Sequence, residues 1–192
     1  LGGTVRPTDN IGDPARFKAD ATWFYDRTKA ASPAGWVVLY ETWARHPDHS
    51  YYPTTFSSPA QMQAQLRKHY NDAASSHIPT HATATPKTHV KVAPAGDAWE
   101  QHLGQASPLR LHAGDDYHAG TNGQYLNAAV IFSTIYGCRA SGLSSLGLKP
   151  ADAARLQAAA DATTGIKGVP PGSIQTMAVG ASVRIDIGPV ST

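Results

Sequence analysis

Apolar residues recur at helical spacing in five segments of the chain, and residues that favour helix ends bound most of these segments. The first segment begins at Asp13-Pro14, where an N-cap carboxylate precedes a proline suited to the first helical turn. The fourth segment is the most apolar. We therefore predict helices over 15–32, 60–77, 98–105, 120–137 and 151–165. The inner face of the first helix is expected to carry Phe17, Ala21, Phe24, Tyr25 and Thr28.

Short runs of β-branched and aromatic residues predict the strands. Residues 35–43, GWVVLYETW, have the composition of a parallel strand that is buried on both faces. A second strand is predicted at about His89 to Ala93, a shorter third over 109–114, and the alternating residues 182–187 are compatible with one more. Alternating strands and helices favour an α/β fold with a parallel sheet. The pattern predicts one domain over 1–165 and a tail over 166–192.

Composition narrows the class of protein. Hydrophobic residues make up 41% and charged residues 16% of the 192 residues, which is too apolar for a disordered chain. The net charge is +2, and no cluster of Lys and Arg predicts binding to nucleic acid. No run approaches the roughly 18 apolar residues of a membrane span. Low charge and many Trp, Tyr and Thr residues favour a secreted or periplasmic protein.

Histidine and cysteine give little support for a metal or redox site. The single cysteine, Cys138, excludes an internal disulfide and is expected to be a buried, inert thiol. His46 and His49, and likewise His77 and His81, have spacings that occur in metal sites, but no cysteine or H-E-x-x-H pattern accompanies them. We predict no metal and no cofactor, and zinc binding ranks last among the functions considered.

Two polar segments are expected at the carboxyl ends of strands, where function collects in open α/β sheets. Glu41, Thr42 and Trp43 follow the first strand, and a loop running from Asp115 to His118 precedes the most apolar helix. In that loop the Asp115 carboxylate could accept the Nδ1 proton of His118 and leave Nε2 free as a general base. The same spacing also occurs in surface or capping residues, so spacing alone leaves both interpretations open.

Several segments together resemble one enzyme family. They are LYETWARHP (39–47), VAPAGDAW (92–99), DDYHAGTNGQYLNAAVIFSTIYG (115–137) and GLKPADAARLQAAA (147–160). This set resembles the SGNH (GDSL-like) hydrolase superfamily, most of all a bacterial branch with a tryptophan-containing turn. The resemblance implies a flavodoxin-like three-layer α/β/α sandwich around a central parallel sheet. It also implies serine-dependent cleavage of acyl or acetyl esters of lipids or carbohydrates without a metal, with His118 as base and Asp115 orienting it.

The chain departs from the family pattern at two of its sequence blocks. The family's serine lies in a Gly-Asp-Ser or Gly-Asn-Ser block after the first strand, and neither tripeptide occurs here. Gly3 could correspond to the glycine of the second block, which helps to form the oxyanion hole. Glu41-Thr42-Trp43 replaces the third-block asparagine. Gly3 and these three residues are therefore the candidates for oxyanion or substrate contacts, and Trp43 is either a substrate platform or part of the core.

The missing block predicts a missing first strand, which in this family lies inside the sheet. We expect an N-terminal fragment of the same precursor to remain bound or preceding sequence to supply the strand; alternatively, residues 182–187 fill the gap. The sheet should then show an unpaired edge or lack a partner at its middle. Two functions follow: a serine esterase whose serine comes from upstream, or a catalytically inactive SGNH-like binding or structural subunit.

Overall fold

The computed structural model describes residues 6–168. About half of these residues are helical, and the remainder include one small parallel sheet. A π-helical turn, Ala73–His77, joins two of the helices. The elements in chain order are α1 (Pro14–Ala31), β1 (Val37–Tyr40), α2 (Pro59–Asp72), α3 (Ile78–His81), β2 (Val90–Ala93), α4 (Ala95–Leu103), α5 (Thr121–Tyr136) and α6 (Pro150–Thr164).

The helix ends follow the capping residues of the sequence. The Asp13 side chain accepts a hydrogen bond from the Arg16 N–H at 2.9 Å, and α1 begins at the next residue. Ser58 caps α2 in the same way through the Gln61 N–H at 3.2 Å. Gly165 ends α6 with φ of +64°, a left-handed conformation that favours glycine. The five predicted helices are confirmed, and the second continues through the π-helical turn into α3.

The inner face of α1 differs from the predicted one. Phe24 was expected inside, but 51% of its surface is exposed. Lys29, which carries a charge, is buried because its ammonium group is close to the carbonyl oxygens of Pro33 and Gly35 and lies 2.9 Å from His89 Nδ1. The buried residues of α1 are Ala21, Thr22, Tyr25 and Lys29. Lys29 follows Tyr25 by one helical turn and therefore lies on the buried face, where the bonds to its ammonium group make a lysine acceptable, whereas Phe24 lies outside this face.

The two strands β1 and β2 pair in parallel, with Val37 opposite Val90. They form the only sheet within residues 6–168. The prediction of a third strand over 109–114 is wrong, because this segment makes a single antiparallel bridge between His112 and Ala119. Its backbone closes a loop instead of extending the sheet. The strand predicted over 182–187 lies outside the described residues, so its place in a larger sheet stays a prediction.

Helices cover both faces of this small sheet. Side chains alternate along a strand, so Val38 and Tyr40 point to one face and Val37 and Leu39 to the other. Val38 and Tyr40 pack on the core formed by α4, α5 and α6, whereas Val37 packs against residues of α1 and α3. Leu39 also contacts the apolar side of α2. The prediction of an α/β fold with parallel strands is confirmed at this level.

Within the described part of the chain, no helix combines the length and the apolar character that crossing a bilayer requires. Cys138 is a free thiol and is half-buried, with Sγ 3.5 Å from the Tyr136 carbonyl oxygen.

Candidate active site

Asp115 and His118 form a hydrogen-bonded pair in the loop between α4 and α5. His118 Nδ1 lies 2.5 Å from Asp115 Oδ2. The other carboxylate oxygen, Oδ1, accepts the backbone N–H groups of Tyr117 at 3.1 Å and His118 at 2.9 Å. Three donors therefore hold one carboxylate, which fixes its orientation toward the imidazole.

The same hydrogen bonds control the charge of the carboxylate. The hydrogen bond from His118, followed by the two backbone N–H bonds, holds the pKa of Asp115 well below its ordinary value. Asp115 is therefore ionised at neutral pH and favours the tautomer of His118 that carries its proton on Nδ1. The His118 side chain is 69% exposed, and no atom of residues 6–168 is hydrogen-bonded to its Nε2. This nitrogen is free to accept a proton.

Backbone bonds close the loop that carries this pair. The Ala113 N–H donates to the His118 carbonyl and the Gly120 N–H to the Leu111 carbonyl, both at 2.8 Å. Asp116, at the tip, adopts φ of +58° and accepts a hydrogen bond from Arg110 at 2.5 Å. Aspartate adopts this left-handed conformation more readily than most residues because its short side chain can form local hydrogen bonds. The ion pair and the backbone bonds together define the loop shape.

The segment that follows β1, residues 43–46, is hydrogen-bonded to the loop that carries His118. Trp43 Nε1 donates to the Tyr117 carbonyl at 3.1 Å, and the His46 N–H donates to the Asp116 carbonyl at 3.0 Å. In the opposite direction, His112 Nε2 donates to the Ala44 carbonyl at 3.0 Å. The predicted tryptophan turn is therefore next to the predicted His118 loop, although the two are more than 70 residues apart in sequence.

A stack of aromatic rings connects this turn to the core. The ring of Trp43 stacks on that of Trp99 with centroids 4.4 Å apart, and the edge of His112 meets Trp99 at 4.7 Å. Trp99 Nε1 donates to Asn127 Oδ1 at 2.7 Å. A Cβ atom at Gly123 would lie 2.4 Å from the Trp99 ring, so glycine is required for this close approach. Trp43 thus serves as packing and as a loop anchor.

Two of the predicted cleft residues lie away from the loop surface. Glu41 is fully buried, and its Oε1 accepts a hydrogen bond from Gln63 Nε2 at 2.7 Å. Thr42 lies near the buried side chain of Tyr70 in α2. Gly3 lies outside the described residues. Among the four oxyanion or cleft candidates, Trp43 is the one that contacts the His118 loop; roles of Glu41, Thr42 and Gly3 at a substrate stay predictions.

Glu41 is a buried acid with an altered charge state. Burial, and next the adjacent Asp97 carboxylate, raise the pKa of Glu41 from its ordinary 4.5 to about 9. Its Oε2 has no hydrogen-bond donor within residues 6–168. A protonated Glu41 would place a donor beside Asp97, which explains how two carboxyl groups can share this site.

A prediction follows for the pH dependence of stability. The pKa of Glu41 is higher in the folded protein than in the unfolded chain. Protonated Glu41 therefore stabilises the folded protein fully below about pH 4.5, and this stabilisation is lost as pH rises through about 9. The free energy of unfolding should therefore fall by up to about 1.4 kcal/mol per pH unit across this window. Glu41→Gln keeps the shape and the donor but cannot ionise, so it should remove this slope. Urea unfolding at pH 5, 7 and 9 measures it.

Glu100→Gln is the matched control, because Glu100 is a more exposed acid that pairs with Arg67 in the same region. It should retain the slope of the wild-type protein. Equal slopes in the wild type and in Glu41→Gln would show that Glu41 is ionised in the folded state, contrary to this description.

Residues 6–168 contain no group of three or more His, Cys, Asp or Glu side chains arranged to hold a metal ion. His46 and His49 instead contact neighbouring backbone and rings: His49 Nδ1 accepts the Tyr51 N–H at 3.1 Å. His77 and His81 stack on each other with centroids 4.1 Å apart.

Some of the residues that shape this site were not predicted. His112 lies in a segment predicted to be a strand, and its role depends on the Ala44 carbonyl, which is distant in sequence. Arg45 and His46 directly follow the tryptophan turn in sequence, and this position predicts only that they could line a substrate cleft. The one sequence signal that could have indicated His112 is its position before Ala113-Gly114, which favours a turn over a continuing strand.

Comparison with known proteins supports the fold alone. No protein-family model matches the chain, and no curated protein does. A solved structure of a DUF4886 family protein from Bacteroides uniformis is similar, with a TM-score of 0.53 and 18% sequence identity. The similarity covers 71% of this chain and 51% of that structure, so the chain spans about half the length of this neighbour. The chain therefore shares a mixed α/β fold with that protein, and the SGNH assignment stays a proposal.

Proposed function

We propose that the protein is an ester hydrolase of the SGNH type, in which His118 is the general base and Asp115 orients it. One observation carries the proposal: Asp115 holds Nδ1 of His118 at 2.5 Å, while Nε2 faces outward without a hydrogen-bond partner in residues 6–168. A base that is fixed on one nitrogen and free on the other is what a serine nucleophile requires. The family resemblance of the sequence supports the same conclusion.

The reaction would proceed by acyl transfer. His118 Nε2 accepts the proton of a serine hydroxyl as the serine oxygen attacks the ester carbonyl. The imidazolium then returns that proton to the departing alcohol as the tetrahedral intermediate collapses to the acyl-serine. Water then attacks the acyl-serine with the same assistance, which releases the acid and regenerates the serine. Asp115 stabilises the imidazolium at both stages. The substrates would be acyl or acetyl esters of carbohydrates or lipids, and no metal takes part.

The serine would come from sequence upstream of Leu1, on a strand next to β1. This arrangement would make the two-stranded sheet part of a larger parallel sheet, with residues 1–165 forming one domain of a three-layer sandwich. The helices on both faces of β1 and β2 are compatible with such a sandwich. A secreted or periplasmic location, where extracellular esters are available, belongs to the same proposal.

The test is hydrolysis of p-nitrophenyl acetate by the full encoded protein. His118→Ala should lower kcat/KM by at least about 10³-fold, because it removes the base from a unit whose members act together. His81→Ala is the matched control, since His81 is an exposed histidine on α3 and should leave the activity unchanged. Hydrolysis that survives His118→Ala would exclude His118 as the base.

A second candidate is a non-catalytic SGNH-like binding or structural subunit. The observation that favours it is that no serine, threonine or cysteine side chain of residues 6–168 is hydrogen-bonded to His118 Nε2. Intact mass and N-terminal sequencing of the native protein distinguish the two functions. A segment with a Gly-x-Ser sequence that accompanies the chain supports the esterase, and a native protein without it supports the non-catalytic subunit.

A further inference from the structure

Two arginines without a carboxylate partner lie beside the His118 loop. Arg45 is only 8% exposed, and its guanidinium carbon lies 3.4 Å from the centre of the Tyr117 ring. Arg6 donates through Nη1 to the Tyr51 hydroxyl at 2.7 Å. Within residues 6–168, no carboxylate lies within 4.0 Å of either guanidinium group. We refer to Arg45, Arg6, Tyr51 and Tyr117 as the arginine pocket.

Both arginines contact the same loop: Arg6 donates to the Tyr51 hydroxyl, and the Arg45 carbonyl accepts the hydroxyl of the adjacent Tyr52 at 3.3 Å. Burial lowers the pKa of Arg45, and the charge of Arg6 lowers it further. Burial also lowers the pKa of His49; the charges of Arg45 and Arg6 lower it further, whereas the two adjacent loop aspartates raise it. The arginine pocket is therefore a region where positive charges repel one another and where an anion would be stabilised.

The aspartates of the His118 loop already have other partners. Asp115 is bound to His118, and Asp116 pairs with Arg110 at 2.5 Å and with His46 at 3.5 Å. Outside residues 6–168, residues 1–5 contain no aspartate or glutamate, and residues 169–192 contain one, Asp186. Within residues 6–168, every other arginine either has a carboxylate partner or is more exposed than Arg45, which makes Arg45 the buried arginine without such a partner. A buried guanidinium without such a partner is unfavourable unless an anion binds to it.

The pocket adjoins the proposed base. The Arg45 guanidinium packs over the Tyr117 ring, and the centroid of this ring lies 4.2 Å from that of the His118 ring. One aromatic side chain thus contacts both the arginine and the histidine. A small ester could therefore place one group on Arg45 and its scissile bond next to His118.

We propose that the arginine pocket binds a carboxylate or phosphate group carried by the ester substrate. That the bound anion belongs to an ester substrate rests on the proposed function, but the anion site itself does not. Planar guanidinium groups suit both anions because they present paired N–H donors to two oxygens. The substrate class would then be an anionic ester, such as a hemiester of a dicarboxylic acid or a phosphate-bearing acyl ester.

Binding can be measured without any catalysis. The unfolding temperature of the full protein is recorded with inorganic phosphate, with succinate, and with sodium chloride at equal ionic strength. Either anion, at about ten times its Kd, should raise the unfolding temperature by about 2–4 °C above the chloride value. Arg45→Gln should abolish the rise, and Arg6→Gln should reduce it. Arg27→Gln is the control, because Arg27 lies over the exposed Trp23 ring and should retain the full effect.

Arg45→Gln is expected to fold, because it removes a buried charge that has no carboxylate partner in the described part of the chain; circular dichroism checks this. Arg6 is less buried, so Arg6→Gln provides an independent result if Arg45→Gln is unstable. Equal shifts with chloride, or an undiminished phosphate and succinate effect in both variants, would overturn the anion site. Binding of one anion alone supports the site and identifies which group it takes.

A comparison of kcat/KM for two esters tests the anionic substrate separately from the proposed function. If the protein hydrolyses esters, mono-p-nitrophenyl succinate should be preferred over p-nitrophenyl acetate by about tenfold or more in kcat/KM, and Arg45→Gln should remove the preference. Anion binding without any ester hydrolysis would overturn the proposed function and support the anion site. Ester hydrolysis without a preference for either a succinyl or a phosphate-bearing ester would overturn the substrate class.

Discussion

Replacing Asp115 with asparagine is expected to lower kcat for ester hydrolysis by about 10³-fold with little change in KM. The amide has one acceptor oxygen, which the two backbone N–H groups would use, so its NH2 group would face Nδ1 of His118. His118 would therefore lose its charge partner and its preferred tautomer. The three hydrogen bonds to the carboxylate show how much of its orientation depends on the acid. The pH–rate profile of the full protein and of the variant measures the effect.

Asp20→Asn is the control for this prediction. Asp20 pairs with Arg16 on the surface of α1, away from the His118 loop, and its substitution should leave kcat unchanged. An Asp115→Asn variant with wild-type kcat would mean that the His118 ring needs no partner, and Asp115 would then be only a loop residue.

Trp99→Ala is expected to destabilise the protein by about 3–5 kcal/mol. Trp99 is 1% exposed, stacks on Trp43 and donates to Asn127. Truncation would leave a cavity in the core formed by α4, α5 and α6, and the Asn127 amide would lose its donor. The free energy of unfolding from urea titration measures the loss.

The same variant should also loosen the candidate site. Trp99 supports Trp43, which in turn holds the Tyr117 carbonyl, so its loss should reduce protection of the His118 loop in hydrogen exchange. Trp23→Ala, which truncates a tryptophan that is 53% exposed, should change stability by about 1 kcal/mol or less. Similar losses for the two tryptophans would contradict the central position of Trp99.

Local signals in the sequence predicted the helices well. A capping side chain, a proline in the first turn and a closing glycine act within a few residues of one another, so Asp13-Pro14 and Gly165 determine their helix ends wherever the rest of the chain lies. The pairing of β1 with β2 followed from their apolar composition. The Asp115–His118 bond was predictable for the same reason, since it joins residues three positions apart.

Features that depend on distant contacts could not be predicted. Lys29 is buried because carbonyl groups beyond the end of α1 surround its ammonium group, and the helical period, which places position 29 on the buried face, gives no sign of these partners. Residues 109–114 have the composition of a strand, but His112 is bound to the carbonyl of Ala44 and the segment closes a loop. The place of Arg45 against Tyr117 likewise appears only when the two segments meet.

Covalent labelling tests the central claim, that His118 activates a serine. The native protein is treated with a fluorophosphonate, which reacts with activated serines, and the adduct is located by intact mass and peptide mapping. We expect one adduct per protein on a serine of the upstream segment, formed at least about 10²-fold more slowly in His118→Ala. No adduct on the native protein, or labelling at the same rate in His118→Ala, would contradict the account.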